Sequence, residues 1–158
     1  MDTVEVYVLC ESRSKVTAMA FLDAFLPDRK SSSEEFPFPE FSDSPQNVYF
    51  SAGEVMSRLE HEPSQSYSLH WGSTGSRKVS QAMIFFTRDG AMIAGLVVSN
   101  LEADETLVKI ARIVEGQFGF LTTENPPPET CTEFIDLCRE STLTALVDGC
   151  LRKGSAEC

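Results

Sequence analysis

Few residues in this chain are of a type that could do chemistry. Two histidines, His61 and His70, and five cysteines, Cys10, Cys131, Cys138, Cys150 and Cys158, stand among 158 residues. Nucleophilic catalysis needs a thiol activated by a nearby imidazole, and Cys10 with His70 is the pairing on offer. Cys10, however, lies in the apolar run VEVYVLC (4–10), where a thiolate is disfavoured. For His70 two readings stay open: a general base, or an exposed or hydrogen-bonded strand histidine. His61, between Glu60 and Glu62 near a predicted helix end, reads as a solvated or capping side chain. Two histidines without a paired acidic spacing make no metal constellation. WGSTGSRK (71–78) falls short of a phosphate loop, because its glycines are three apart and Val79 follows Lys78. The sequence therefore predicts no catalytic residue, no cofactor site and no metal site.

The odd cysteine count, with no close C-x-x-C pair, argues against a disulfide framework or a zinc site and for a reducing compartment. MDTVEVYVLCESRSK has no cationic stretch before an apolar core, so it is not a signal peptide, and no apolar run approaches a membrane span. A cytoplasmic location is expected. The net charge of −11 disfavours nucleic acid and anionic membrane and would draw in a basic protein partner. Plain solubility would account for the acidity equally well.

The acids are not spread evenly. Residues 31–62 hold seven acids against one base, and residues 101–140 hold nine against three, whereas residues 63–100 hold one acid and three bases. The first acidic block contains EEFPFPEFSDSP (34–45), in which three phenylalanines are interleaved with three prolines. The prolines predict an extended segment without ladder hydrogen bonds. Its rings either fold back to plug the core, above all Phe38 and Phe41, or form an acidic-aromatic contact surface. In the second case Phe36, Phe38 and Phe41 supply area while Glu34, Glu35, Glu40 and Asp43 steer a basic partner. Both can hold for one loop.

The elements that must position these residues follow from periodicity. Residues 4–10 predict a strand; Ala18, Phe21, Leu22, Phe25 and Leu26 predict a one-faced helix stopped by Pro27. NVYF (47–50) predicts a short strand, and Ser51-x-x-Glu54 a capping box opening a helix that ends before Pro63. SYSLHWG alternates as a strand. Residues 80–99 predict a hairpin, with two apolar runs about Arg88-Asp89-Gly90. A helix through Leu107, Ile110, Ala111, Val114 and Phe118, a strand FGFLTT, the extended ENPPPE, and a helix capped by Thr130 and running to about residue 149 complete the chain. The predicted order is β-α-β-α-β-β-β-α-β-α: one α+β domain over 1–150, helices on one face of a mostly antiparallel sheet, a central hairpin, and a frayed tail at 151–158. A monomer or weak dimer is expected.

In size, charge, lack of a catalytic signature and the acidic Phe/Pro loop, the chain resembles the small acidic cytoplasmic α+β immunity proteins that bacteria keep against secreted polymorphic toxins. That resemblance implies a stoichiometric inhibitor that occludes the active site of a cognate toxin domain, with no cofactor; no residue role transfers from it. Acidic secretion chaperones are similar in charge and size, but they usually begin with a helix and dimerise, whereas this chain opens with a strand. A small cysteine-dependent hydrolase using Cys10 and His70 is the third reading.

Overall fold

The computed structural model describes residues 2–75, 78–142 and 144–153. Its elements are β1 (Thr3–Cys10), α1 (Lys15–Phe25), β2 (Arg29–Ser31), β3 (Phe36–Phe38), β4 (Asn47–Tyr49), α2 (Ala52–Leu59), β5 (Tyr67–Ser73), β6 (Gln81–Phe86), β7 (Met92–Ser99), α3 (Ala103–Val114), β8 (Gly119–Thr122), α4 (Cys131–Glu140), β9 (Ala145–Val147) and β10 (Cys150–Arg152). Eight strands form one sheet in the order β10-β9-β8-β1-β7-β6-β5-β2, and β3 pairs with β4 in a separate ribbon. Every pairing is antiparallel. The expected α+β class, antiparallel sheet and central 80–99 hairpin are all present.

Alternation sorts the side chains to two faces. Val4, Val6, Val8 and Cys10 of β1 join Ile84, Leu96, Leu69 and Trp71 under α1, α2 and α3. Tyr7, Leu9, Met83 and Ile93 face the other way, towards Phe134 and Cys138 of α4. Helices on one face only is thus corrected: α4 crosses to the far side. It must do so because the first face is already filled by three helices, while Phe120, Tyr7 and Ala145 would otherwise lie bare. The close fit there depends on Gly95, paired with Tyr7: a Cβ at Gly95 would lie 2.6 Å from the Tyr7 ring.

Asp89 ties α4 to the central hairpin. Both of its carboxylate oxygens accept from the Cys131 N–H, at 2.9 and 3.0 Å, so the hairpin turn caps the helix from outside the helix's own sequence. Burial pushes the Asp89 carboxyl up, but the amides of Cys131 and Thr132 and the Thr87 hydroxyl outweigh it and hold the group below the ordinary Asp value. The stability from this depressed group is fully present above the ordinary carboxylate range and is lost as pH falls through the lower folded value. Asp89→Asn is expected to cost about 1 kcal/mol at neutral pH and to flatten the acid limb of a stability–pH curve. An acid limb identical to that of the parent protein would show that the cap contributes nothing.

The C-terminal region departs furthest from expectation. The last helix stops at Glu140, and residues 145–152 form the β9–β10 hairpin instead of more helix. Asp148 and Gly149 both take positive φ, 51° and 80°, as a two-residue hairpin loop requires. Leu151 and Arg152, expected in a frayed tail, are in β10. Arg152 donates to the carbonyls of Cys138, Arg139 and Ser141, satisfying the open end of α4. Lys153 follows the strand, and residues 154–158 of that expected tail lie outside the described residues. Cys150 is disulfide-bonded, which runs against the expectation drawn from the odd cysteine count. Among the described residues, no helix is long and apolar enough to cross a membrane.

Candidate functional site

The Phe/Pro segment is not the unpaired loop that its prolines predicted. Phe36, Pro37 and Phe38 pair with Tyr49, Val48 and Asn47, and Pro37 is tolerated because the ribbon is two strands wide, leaving an edge on which its missing N–H is not needed. Alternation then divides the ribbon. Phe36 and Phe38 point inward and are buried with Val55, Met56 and Leu59 of α2 in the main core. The core-plug reading therefore holds for Phe38, and it extends to Phe36, which the contact reading had set outside. Phe41 goes the other way: it is 87% exposed, and its φ of 64° is a left-handed value that bulky residues rarely adopt.

Arg58 of α2 fastens the ribbon down. Its guanidinium lies 4.4 Å from the Phe38 ring centroid and donates to Asn47 Oδ1, the Tyr49 hydroxyl and Gln46 Oε1, while Nε pairs with Glu62 at 3.1 Å. On the sheet side, the Tyr67 hydroxyl donates to the Pro37 carbonyl at 2.9 Å. Glu40 does not stand free for steering. Its carboxylate accepts from the Ser68 N–H and hydroxyl at 3.1–3.2 Å, satisfying β5 where the short β2 no longer reaches. Burial raises the Glu40 pKa against the lowering effect of those Ser68 donors.

What remains outward is a surface assembled from both strands. Val48 and Phe50 are exposed, at 41% and 70%. Val48 pairs with Pro37, and continuing that register sets Phe50 opposite Glu35. Glu34, Glu35 and Asp43 are all exposed. Of the seven residues expected at a contact surface, the structure thus leaves Glu34, Glu35, Phe41 and Asp43 outward, buries Phe36 and Phe38, and commits Glu40 to the sheet edge. Sequence reading missed Val48 and Phe50. The signal was there: NVYF is an alternating strand, and a strand beside an inward Tyr49 must turn Val48 and Phe50 out.

The Cys10–His70 pairing is ruled out by the sheet itself. Cys10 belongs to the buried face under α1 to α3, and burial pushes its thiol up to about 12 despite a backbone hydrogen bond at Ala94. His70 alternates with Leu69 and Trp71 and lies on the opposite face, edge-on to Phe85 at 5.7 Å between centroids. Burial lowers the imidazole pKa. Cys131 and Cys138 are also free thiols raised by burial. Among the described residues, no group of three or more His, Cys, Asp or Glu side chains is placed to hold a metal ion.

No protein-family model matches this chain, and no curated protein matches it. Among solved structures, it is similar to a chain in the crystal structure of the toxic C-terminal tip of CdiA from Pseudomonas aeruginosa in complex with immune protein. The TM-score is 0.42 at 14% identity, over 78% of this chain and 88% of that one. A likeness of this degree carries no weight for function.

Proposed function

We propose that this protein is a non-enzymatic binding module whose outer β3–β4 surface docks a basic protein, and that it acts as an immunity protein in the cytoplasm, occluding the active site of a toxin domain. The observation that supports the reading is the ribbon's two-sidedness. Its inner rings are locked into the core, while Phe41, Val48 and Phe50 face solvent beside Glu34, Glu35 and Asp43. Exposed aromatics held in place by a rigid mount bring contact area at low entropic cost, and the surrounding carboxylates supply attraction at long range. An aromatic held exposed in a left-handed backbone conformation costs the fold something and gives it nothing.

The test uses the product of a toxin gene adjacent to that of this protein. Co-expression is expected to restore growth, and the purified pair to form a complex. Reversing Glu34, Glu35 and Asp43 to Lys is expected to slow association and flatten its salt dependence, because steering acts on the on-rate. Phe50→Ala is expected instead to raise the off-rate by roughly tenfold, about 1–2 kcal/mol for a moderate anchor. A complex whose kinetics respond to neither change does not use this surface. His70→Ala should leave protection intact; loss of protection with binding retained would point to chemistry.

A further inference from the structure

Beside the ribbon, where Glu40 meets Ser68, a cleft of about 430 Å³ opens. Ser68 and Phe85 line it together with Pro126, Pro127 and Pro128. Arg88 and Glu129 also line it, but Arg88 is already neutralised by Glu129 at 2.9 Å and by Glu133 at 3.7 Å. The Glu40 carboxylate has neutral partners, the Ser68 N–H and hydroxyl. Those contacts place one hydrogen bond on Oε1 and two on Oε2, and a carboxylate can accept about four. Among the described residues this half-buried negative charge has no ion-pair partner, and it has room for a further donor in a cleft lined by an aromatic ring and three prolines.

We propose that this cleft receives one cationic side chain, an arginine or lysine, from the basic protein partner, with Glu40 as its counter-charge. This inference rests on the partner reading above and gives the partner's contact residue a chemistry. Volume allows it: the cleft is at the small end of the range for ligand sites and has ample room for a guanidinium with its alkyl stem. Charge fits as well, since an incoming cation supplies what desolvation has removed from Glu40. The walls suit the stem, because long basic side chains bury their methylenes along apolar surface and present only the head group to a charge. Phe85 adds a ring to which a cation is attracted.

N-acetyl-arginine methylamide, titrated against the whole protein and followed by amide NMR, tests the cleft without any partner. Saturable shifts are expected at Ser68, Phe85 and Thr87, with a dissociation constant on the order of 1–10 mM. The neutral citrulline analogue is expected to produce none. Glu40→Gln keeps an acceptor for Ser68 but removes the charge, and is expected to weaken the probe by about tenfold or more; Glu34→Gln, on the ribbon's outer side, should leave the probe's affinity unchanged. Equal shifts with citrulline, undiminished binding to folded Glu40→Gln, or no saturable shift would each overturn the proposal. The two readings fail separately. A probe that binds here while ribbon variants leave partner kinetics unchanged keeps the cleft and sinks the ribbon surface; the reverse keeps the ribbon and sinks the cleft.

Discussion

Phe38→Ala is expected to destabilise the protein by about 3–5 kcal/mol, the usual cost of deleting a fully buried ring. Phe41→Ala, three residues along, is expected to stay within about 0.5 kcal/mol of the parent. The contrast arises from the ribbon, which sends Phe38 under the Arg58 guanidinium and leaves Phe41 in solvent. Loss of Phe38 also deprives Arg58 of its ring, so the ribbon loosens along with the core. At about 2–4 °C per kcal/mol for a chain of this size, Phe38→Ala should lower Tm by roughly 6–20 °C. Phe41→Gly goes further in the other direction. It removes both the side chain and the left-handed penalty, so Tm should hold or rise while partner binding falls. Thermal unfolding of the three variants checks this, and similar losses for Phe38→Ala and Phe41→Ala would mean that the ribbon is not two-sided.

The second large effect is expected at Arg13, in the connection between β1 and α1. Its guanidinium donates to four backbone carbonyls: Leu59 and Glu62 at the end of α2, Gln65 in the following turn, and Thr87 at the central hairpin. It also lies 5.4 Å from the Phe86 ring centroid. Burial lowers its pKa, with Asp89 opposing, but guanidinium stays charged at any working pH. Arg13→Met takes a charged donor from all four carbonyls, leaving those of Leu59, Glu62 and Thr87 with only the N–H groups of Glu62, Gln65 and Gly90, and is expected to cost about 2–4 kcal/mol. Arg13→Lys keeps the charge but not the planar fork that reaches four carbonyls, so it should recover only part of that loss. Chemical denaturation checks both variants; a Lys variant as stable as the parent would show that charge alone matters there.

Arg13 also shows where the sequence was silent. A single arginine in ESRSK carries no local sign that four distant carbonyls converge on it, because that convergence is a product of the fold. What was legible was local. The i, i+3, i+4 spacing placed α1 and α3, Ser51 and Thr130 marked the helix starts they do cap, and Asp89-Gly90 marked the central hairpin. Asp148-Gly149 is the same turn signal, and it went unread because the apolar residues after Thr130 suggested continued helix. In the short strands β2 and β3, pairing beats propensity: Arg29–Ser31 has no strand pattern and pairs because β5 offers it an edge. In the ribbon, the composition of 34–45 rightly announced a special segment, while its division into an inner and an outer face required the register with Asn47–Tyr49.

The position of β1 has a consequence for synthesis on the ribosome. This strand is the first element of the chain described, yet both its neighbours, β7 and β8, come late, and its partners run from Thr3 with Ser99 to Cys10 with Met92. At elongation rates of about 5–20 residues per second, VEVYVLC leaves the exit tunnel on the order of 5–20 s before either edge can be paired. During that interval it is a short, β-branched, nearly uncharged segment with two open edges, the kind that joins other chains. Folding must wait for a long-range closure, so its rate should be set by topology and not by helix formation. Glu5 within the run is a charge of the gatekeeping kind that opposes such association of nascent strands.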